Sequence, residues 1–216
     1  MQGTEVSKWD QKLQKVTKIE KIFYGGNSDN EKKSYDSYCF GFISQYYEEH
    51  VVKKFSAIGR FSKIKENKNE KTPDFVSHDA KIVLEVKSIN DLRDPFKQLK
   101  GIKIETVIKR ASEKNWERYE SYHKGVIVIF PILTLMYHEH EIEETLKGIV
   151  PYLMKKEGID FVGIFPPPIA ISFAKNRGTW LSSEELSKGY FFCNSAEVES
   201  KLSMLGGKIV IVDNNG

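Results

Sequence analysis

Three charged side chains in the middle of the chain are of the types that hold a metal ion and activate water. Asp74 follows Pro73, and Glu85 and Lys87 come eleven and thirteen residues after Asp74, inside the apolar run IVLEVKS. Alternate residues of a strand share a face, so Glu85 and Lys87 project together. We expect the strand that carries Asp74 to pair with this run through a turn near residues 77–79, which brings the two carboxylates side by side.

Two adjacent carboxylates in a half-buried sheet repel each other unless a cation lies between them. Mg²⁺ prefers oxygen ligands, and in proteins it binds through one or two carboxylates plus a substrate phosphate. The carbonyl oxygen of Val86 would be a further ligand, and we expect Mn²⁺ to substitute for Mg²⁺. A metal-bound water beside the Lys87 ammonium is a nucleophile suited to phosphodiester hydrolysis. The metal and the lysine would also offset the charge that develops on phosphorus.

Sequence context separates this acidic-x-Lys triplet from the others in the chain. The same pattern recurs as DQK at 10, EKK at 31, ENK at 66, DAK at 79 and ESK at 199. Of these six triplets, counting Glu85-Val86-Lys87 itself, only Glu85-Val86-Lys87 lies inside an apolar run. Charged side chains are rarely tolerated there unless they are paired or bound to a metal. The alternative is a Glu–Lys pair on the surface of an edge strand, which would carry no chemistry.

The elements that must position these residues follow from the spacing of apolar residues. We predict a helix over Tyr35–Phe55, three strands over Ala57–Ile64, Thr72–Ser77 and Lys81–Val86, a helix between Leu92 and Ala111, and a strand over 126–130. Further along, we predict a helix between Ile142 and Leu153 that stops before Gly158 and is kinked or shortened at Pro151, and strands over 161–165, 169–173 and 208–212.

Composition is that of an ordinary globular protein, and we read residues 1–216 as a single α/β domain. Of the 216 residues, 40% are apolar and 29% are charged, which is enough for one hydrophobic core. The chain has no apolar run long enough to span a membrane and no signal peptide, so we expect a cytoplasmic protein.

Cys39 and Cys193 stand in apolar surroundings and are predicted to be buried free thiols rather than a disulfide. No ATPase, helicase or methyltransferase motif is present, so no nucleotide cofactor is expected.

The residues PDF and LEVK resemble the motif of the PD-(D/E)xK nuclease superfamily, which includes restriction endonucleases and Holliday-junction resolvases. This resemblance implies a restriction-endonuclease-like core of order α-β-β-β-α-β, with a central mixed sheet flanked by helices, over residues 36–130. Residues 131–216 would then be a C-terminal α/β extension that serves as a dimer or DNA-contact element. The resemblance also implies that Asp74 and Glu85 bind the metal, that Lys87 assists the nucleophile, and that the protein forms a homodimer.

Several further residues are weaker predictions from the same resemblance. Many family members place an acidic residue on the first helix, which would be Glu48 or Glu49 here, although Gln45 lies nearer the usual position. A solvated helix end is the alternative for both glutamates. Gln98 resembles a polar residue that some branches of the family use on the helix after the motif.

Basic residues just before the motif form a strip that would neutralise DNA phosphates. We predict DNA contacts from Lys53, Lys54, Arg60, Lys63 and Lys65, and from Arg177 in a later loop. The alternative is a solvated lysine-rich face, which fits the modest net charge of +3. His138 and His140 would share a face in an extended segment and suit zinc, but no third ligand is apparent, so two exposed histidines are the better explanation.

Together these patterns predict a Mg²⁺-dependent DNA endonuclease, either restriction-like or junction-resolving. Two alternatives belong to other classes of protein. The chain could be a non-catalytic nucleic-acid-binding protein built on a nuclease scaffold, or a subunit that acts only with a partner.

Overall fold

The structure is a computed structural model that describes residues 47–65, 70–88, 102–129, 139–165 and 189–212. The chain divides into two compact units, residues 1–49 and residues 50–216. Apart from the first three helical residues, 47–49, every element described below belongs to the second unit.

Helices and strands alternate along most of the described chain. The helices are α1 (residues 47–55), α2 (Ile102–Ser112), α3 (Glu139–Glu157) and α4 (Ala196–Ser203), with one 3₁₀ turn at Glu117–Tyr119. The strands are β1 (Ser62–Lys63), β2 (Phe75–Ser77), β3 (Ile82–Ser88), β4 (His123–Ile129), β5 (Phe161–Phe165), β6 (Tyr190–Cys193) and β7 (Lys208–Ile211).

These strands form one mixed sheet whose spatial order is the same as their order in the chain. Strands β1, β2 and β3 are antiparallel, β3, β4 and β5 are parallel, β6 is antiparallel to β5, and β7 is parallel to β6. Parallel neighbours need a crossover connection, and α2 and α3 lie in the crossovers from β3 to β4 and from β4 to β5. The predicted mixed α/β fold, with helices flanking a central sheet, is confirmed at this level.

Side chains from both faces of the sheet are buried. Val126 and Val128 of β4 pack with Ile108 of α2 and with Leu146 and Val150 of α3. On the other face, the ring of Phe55 at the end of α1 lies 6.4 Å from that of Phe161 and 6.3 Å from that of Phe191. Because β4 and β5 are covered on both faces, their sequences contain continuous apolar runs rather than alternating apolar and polar residues.

Some element boundaries differ from those predicted. The strand predicted over Ala57–Ile64 contains only Ser62–Lys63, because residues 56–58 form a turn in which the Ile58 N–H donates to the Phe55 carbonyl at 3.0 Å. Helix α3 continues through Pro151 and ends at Glu157, and the next residue, Gly158, has a φ of +64°, a conformation that glycine adopts at little cost. Strand β6 and helix α4 were not predicted.

Several predictions concern residues that the structure describes only in part. Cys193 is confirmed as a buried free thiol. His140 lies in helix α3 and not in an extended segment. Predictions for Gln45, Gln98, Arg177, Cys39, His138 and residues 169–173 fall outside the described residues. No helix in the described part of the chain is long and apolar enough to cross a membrane.

Candidate metal centre

Asp74 lies at the point where β2 separates from β3. Strand β2 pairs only with the first three residues of β3, from Ile82 to Leu84. The Asp74 N–H still donates to the Leu84 carbonyl at 3.0 Å, and the Asp74 carboxylate oxygen Oδ2 then accepts from the Val86 N–H at 2.8 Å. Proline at position 73 has no N–H to continue the ladder. The Asp74 carboxylate accepts from the Val86 N–H in the place of a backbone carbonyl, which fixes it against the middle of β3.

Glu85 stands on β3 beside this carboxylate and has no exposed surface. It is the one charged residue among the described residues that is fully buried. Its Oε1 atom forms ion pairs with the ammonium groups of Lys87 and Lys114, the latter at 3.0 Å. Its Oε2 atom is buried and accepts no hydrogen bond from the residues that the structure describes. One oxygen of the carboxylate is thus held by two cations, while the other has no partner in this part of the chain.

The environment of Glu85 raises its pKa from 4.5 to about 7. Burial is the largest cause, because it penalises the charged form, and the negative charge of Asp74 adds to it. The ammonium groups of Lys87 and Lys114 act in the opposite direction and limit the rise. The two lysines therefore do not fully compensate the carboxylate for the loss of water.

Lys114 belongs to this cluster although the sequence analysis did not select it. It lies two residues beyond the end of α2, and its Nζ atom donates to the Thr72 carbonyl at 3.1 Å while contacting Glu85. The next residue, Asn115, donates its backbone N–H to the Lys71 carbonyl at 2.7 Å. The segment after α2 is thus joined to the residues just before Asp74. A buried glutamate in the apolar run was a signal that further cations would be needed, but nothing near Lys114 in the sequence points to β3.

The atoms of this cluster fit a hard divalent cation. Glu85 Oε2 is a buried carboxylate oxygen without a hydrogen-bond partner among the described residues, and the Val86 N–H donates to one oxygen of the Asp74 carboxylate, Oδ2. The N–H and C=O of one strand residue point to the same side, and the Val86 N–H points to Asp74. The Val86 carbonyl therefore also points to the Asp74 side, away from β4. Two carboxylate oxygens and a carbonyl oxygen are the ligand types that Mg²⁺ prefers.

No group of three or more His, Cys, Asp or Glu residues suited to a metal ion occurs in the described ranges. In those ranges the candidate centre has two acidic residues, Asp74 and Glu85. Glu48 and Glu49 lie in helical residues of the first compact unit, and their proposed role in completing the centre stays a prediction.

An open cleft of about 580 Å³ flanks the buried cluster. Its lining includes Lys71, Lys114, Trp116, Glu120 and Lys124. Lys114 therefore lies at the boundary between the buried carboxylate and the solvent, with 18% of its side chain exposed. Glu85 does not line this cleft.

The predicted basic strip contains residues in different environments. Lys53, Arg60, Lys63 and Lys65 are exposed. Lys54 is half-buried with its Nζ atom 4.6 Å from the centre of the Phe165 ring, and burial lowers its pKa to about 8. The Arg60 backbone N–H donates to the Asp79 carboxylate, and this contact joins the segment after α1 to the turn between β2 and β3.

The protein was also compared with known families, proteins and structures. No family model, curated protein or solved structure matches the chain.

Proposed function

We propose that this protein is a metal-dependent nuclease that hydrolyses phosphodiester bonds in DNA, with Asp74, Glu85 and Lys87 as its active-site residues. The observation that carries this proposal is the Glu85 carboxylate, which is fully buried beside Asp74, keeps a raised pKa despite two ion pairs, and has one oxygen unpartnered among the described residues. Burying such a group is costly unless something binds it. A ligand of positive charge is the chemistry that this arrangement fits.

Asp74, Glu85 and Lys87 would have different roles in hydrolysis. Asp74 and Glu85 would hold Mg²⁺ or Mn²⁺ through carboxylate oxygens, together with the carbonyl of Val86. When bound, the metal supplies Lewis acidity to the scissile phosphate and lowers the pKa of a bound water. Lys87 projects from the same face of β3 as Glu85 with 32% of its side chain exposed, so its ammonium can meet both the carboxylate and an incoming phosphate. Its positive charge would offset the charge that develops on phosphorus.

DNA would approach along the exposed basic residues that precede β2. Arg60, Lys63 and Lys65 are close in sequence to β2, and the Ile64 N–H donates to the Asp74 carbonyl at 2.9 Å. Phosphate contacts of this type position a duplex without reading its sequence. The arrangement supports binding of DNA but does not select between a restriction-like and a junction-resolving enzyme.

The test is a cleavage assay on supercoiled plasmid, linear duplex, single-stranded and four-way-junction DNA with Mg²⁺, Mn²⁺ or EDTA. We expect cleavage with either metal and none in EDTA. The preferred substrate distinguishes a restriction-like from a junction-resolving enzyme. Lys87→Ala should lower the rate by about 100-fold or more, because it removes a charge that acts on the transition state. Asp74→Asn should do the same, yet it keeps an oxygen that can accept from the Val86 N–H, so the strand pairing is retained.

Lys109→Ala is the matched control, since Lys109 is an exposed lysine of α2 outside the Glu85 cluster. It should leave the cleavage rate within about twofold of the wild type, as expected for an exposed residue outside the site. Full activity in both Asp74→Asn and Lys87→Ala would sink the proposal.

One observation favours a second candidate, a DNA-binding protein without catalysis. With both carboxylates ionised, Asp74 and Glu85 are balanced in formal charge by Lys87 and Lys114 without any metal. A closed ion-pair cluster of this type has a structural role in many proteins. DNA binding with neither metal binding nor cleavage on any of the four substrates would favour this candidate.

A further inference from the structure

Lys114 is the residue whose position the proposed chemistry does not explain. The reaction needs one lysine beside the metal ligands, and Lys87 supplies it. The Lys114 ammonium nevertheless contacts the same oxygen of Glu85, and it comes from a different element, the segment after α2. We propose that Lys114 is an internal cation that competes with the divalent metal for the Glu85 carboxylate, and so sets the metal concentration that the enzyme requires. This inference rests on the proposed function.

Charge balance is the first argument. With ionised carboxylates, the four side chains of Asp74, Glu85, Lys87 and Lys114 sum to zero, so the cluster is neutral before a metal binds. A divalent ion added to this cluster gives it a net positive charge. Without Lys114 the cluster would start with one net negative charge, which favours binding of a cation.

Proximity is the second argument. Lys114 binds Oε1 of Glu85, while Oε2 has no partner among the described residues. A cation on Oε2 and an ammonium on Oε1 would share one carboxylate that is fully buried. Little water is available there to screen the repulsion between them, so each weakens the binding of the other.

Tethering is the third argument, because a flexible lysine could avoid this repulsion by turning into solvent. Lys114 also donates to the Thr72 carbonyl, and the Asn115 N–H holds the backbone to Lys71. Only 18% of the Lys114 side chain is exposed, compared with 32% for Lys87. Lys114 is therefore less free than Lys87 to turn into solvent, and a metal on Glu85 would bind against its charge.

The experiment is isothermal titration calorimetry of Mn²⁺ into the full chain at about pH 8 without DNA, so that the result does not depend on activity. Lys114→Gln removes the charge but keeps a donor for Thr72, and it should bind Mn²⁺ about tenfold more tightly than the wild type. Lys114→Met is the second neutral variant and should give the same direction. Lys114→Arg keeps the charge and should stay within about twofold of the wild type.

Lys71→Met is the control for loss of a lysine from the same cleft. Lys71 is 69% exposed and pairs with Glu113 at 3.0 Å, so solvent screens its charge and its loss should change Mn²⁺ affinity by less than about twofold. Measurable Mn²⁺ binding by the wild type that is unchanged or weaker in Lys114→Gln and Lys114→Met would overturn the role of Lys114 alone. Absence of Mn²⁺ binding in the wild type and in all variants would overturn the metal centre and the role of Lys114 together.

Discussion

Glu85 is the fully buried charged residue of the part of the chain that the structure describes. Its carboxylate has no exposed surface, and its pKa of about 7 lies well above the 4.5 of an ordinary glutamate despite two neighbouring ammonium groups. A raised pKa means that the folded state binds the proton more tightly than the unfolded state does. The carboxyl group is therefore best tolerated when it is protonated, and folding becomes less favourable as it ionises.

The stability of the metal-free protein should accordingly depend on pH through Glu85. The contribution is fully present below pH 4.5 and is lost as the pH rises through about 7. The interval between 4.5 and about 7 corresponds to about 3 kcal/mol of unfolding free energy. Relative to Glu85→Gln, which cannot ionise, the wild type should lose about this amount between about pH 4.5 and pH 8.

Urea denaturation of both proteins in EDTA measures this difference, and the other titrating groups cancel because the two proteins share them. Stability curves of the wild type and Glu85→Gln that run parallel across this pH range would contradict the prediction. Metal binding should follow the opposite trend and strengthen as the pH rises through about 7, since the metal needs the ionised carboxylate.

At the scale of elements, strands and turns that depend on their own local sequence could be predicted. Strand β5 has the predicted bounds because a continuous apolar run marks a strand buried on both faces. The β2–β3 hairpin follows from turn residues between two apolar segments, and it suffices to bring Asp74 beside Glu85. Lys114 could not be found in this way. It reaches Glu85 through the packing of a crossover helix, and its neighbours Glu113 and Asn115 resemble any polar helix end.

Two other differences between the predicted and the observed elements have similar causes. Strand β6 is only four residues long, too short for periodicity to mark it, and it depends on pairing with β5. The segment predicted as a strand over Ala57–Ile64 is apolar enough, but its first residues are used to end α1. Tertiary contacts outside each segment decide both cases.

Packing between β4 and β5 gives a prediction at the same scale. A Cβ added at Gly125 of β4 would lie 2.2 Å from Cζ of Phe161, whose ring fills the space beside the strand. Gly125→Ala should therefore reduce the unfolding free energy by about 1–3 kcal/mol, the usual cost of overpacking. Gly148→Ala is the control on α3, where a Cβ meets nothing within 4 Å, and it should stabilise the protein by up to about 1 kcal/mol.

Chemical denaturation of the two alanine variants measures both changes. Equal stability of Gly125→Ala and the wild type would mean that the Phe161 ring moves aside freely, against the dense packing of this part of the sheet. A loss of stability in Gly148→Ala would contradict the open surroundings of that helical position.

At the scale of the whole molecule, charge distribution matters more than net charge. The net charge is only +3, which by itself gives weak attraction to DNA. The exposed cations before β2 are concentrated near the proposed centre, because the Ile64 N–H is bonded to the Asp74 carbonyl. Homodimer formation, which would supply two centres for two strands, stays a prediction at this scale.

DNA binding should therefore depend on salt through a few local contacts. Each neutralised phosphate contributes about 0.9 to the slope of log affinity against log salt concentration, so Arg60→Ala combined with Lys65→Ala should reduce the slope by about 1.8. Lys155→Ala combined with Lys156→Ala removes the same charge from the exposed end of α3, and it should leave the slope unchanged. Fluorescence anisotropy with a labelled duplex in EDTA measures all three slopes without cleavage. Equal slopes for the two double variants would show that overall charge, rather than the residues before β2, determines the affinity for DNA, and the basic strip would lose its assigned role.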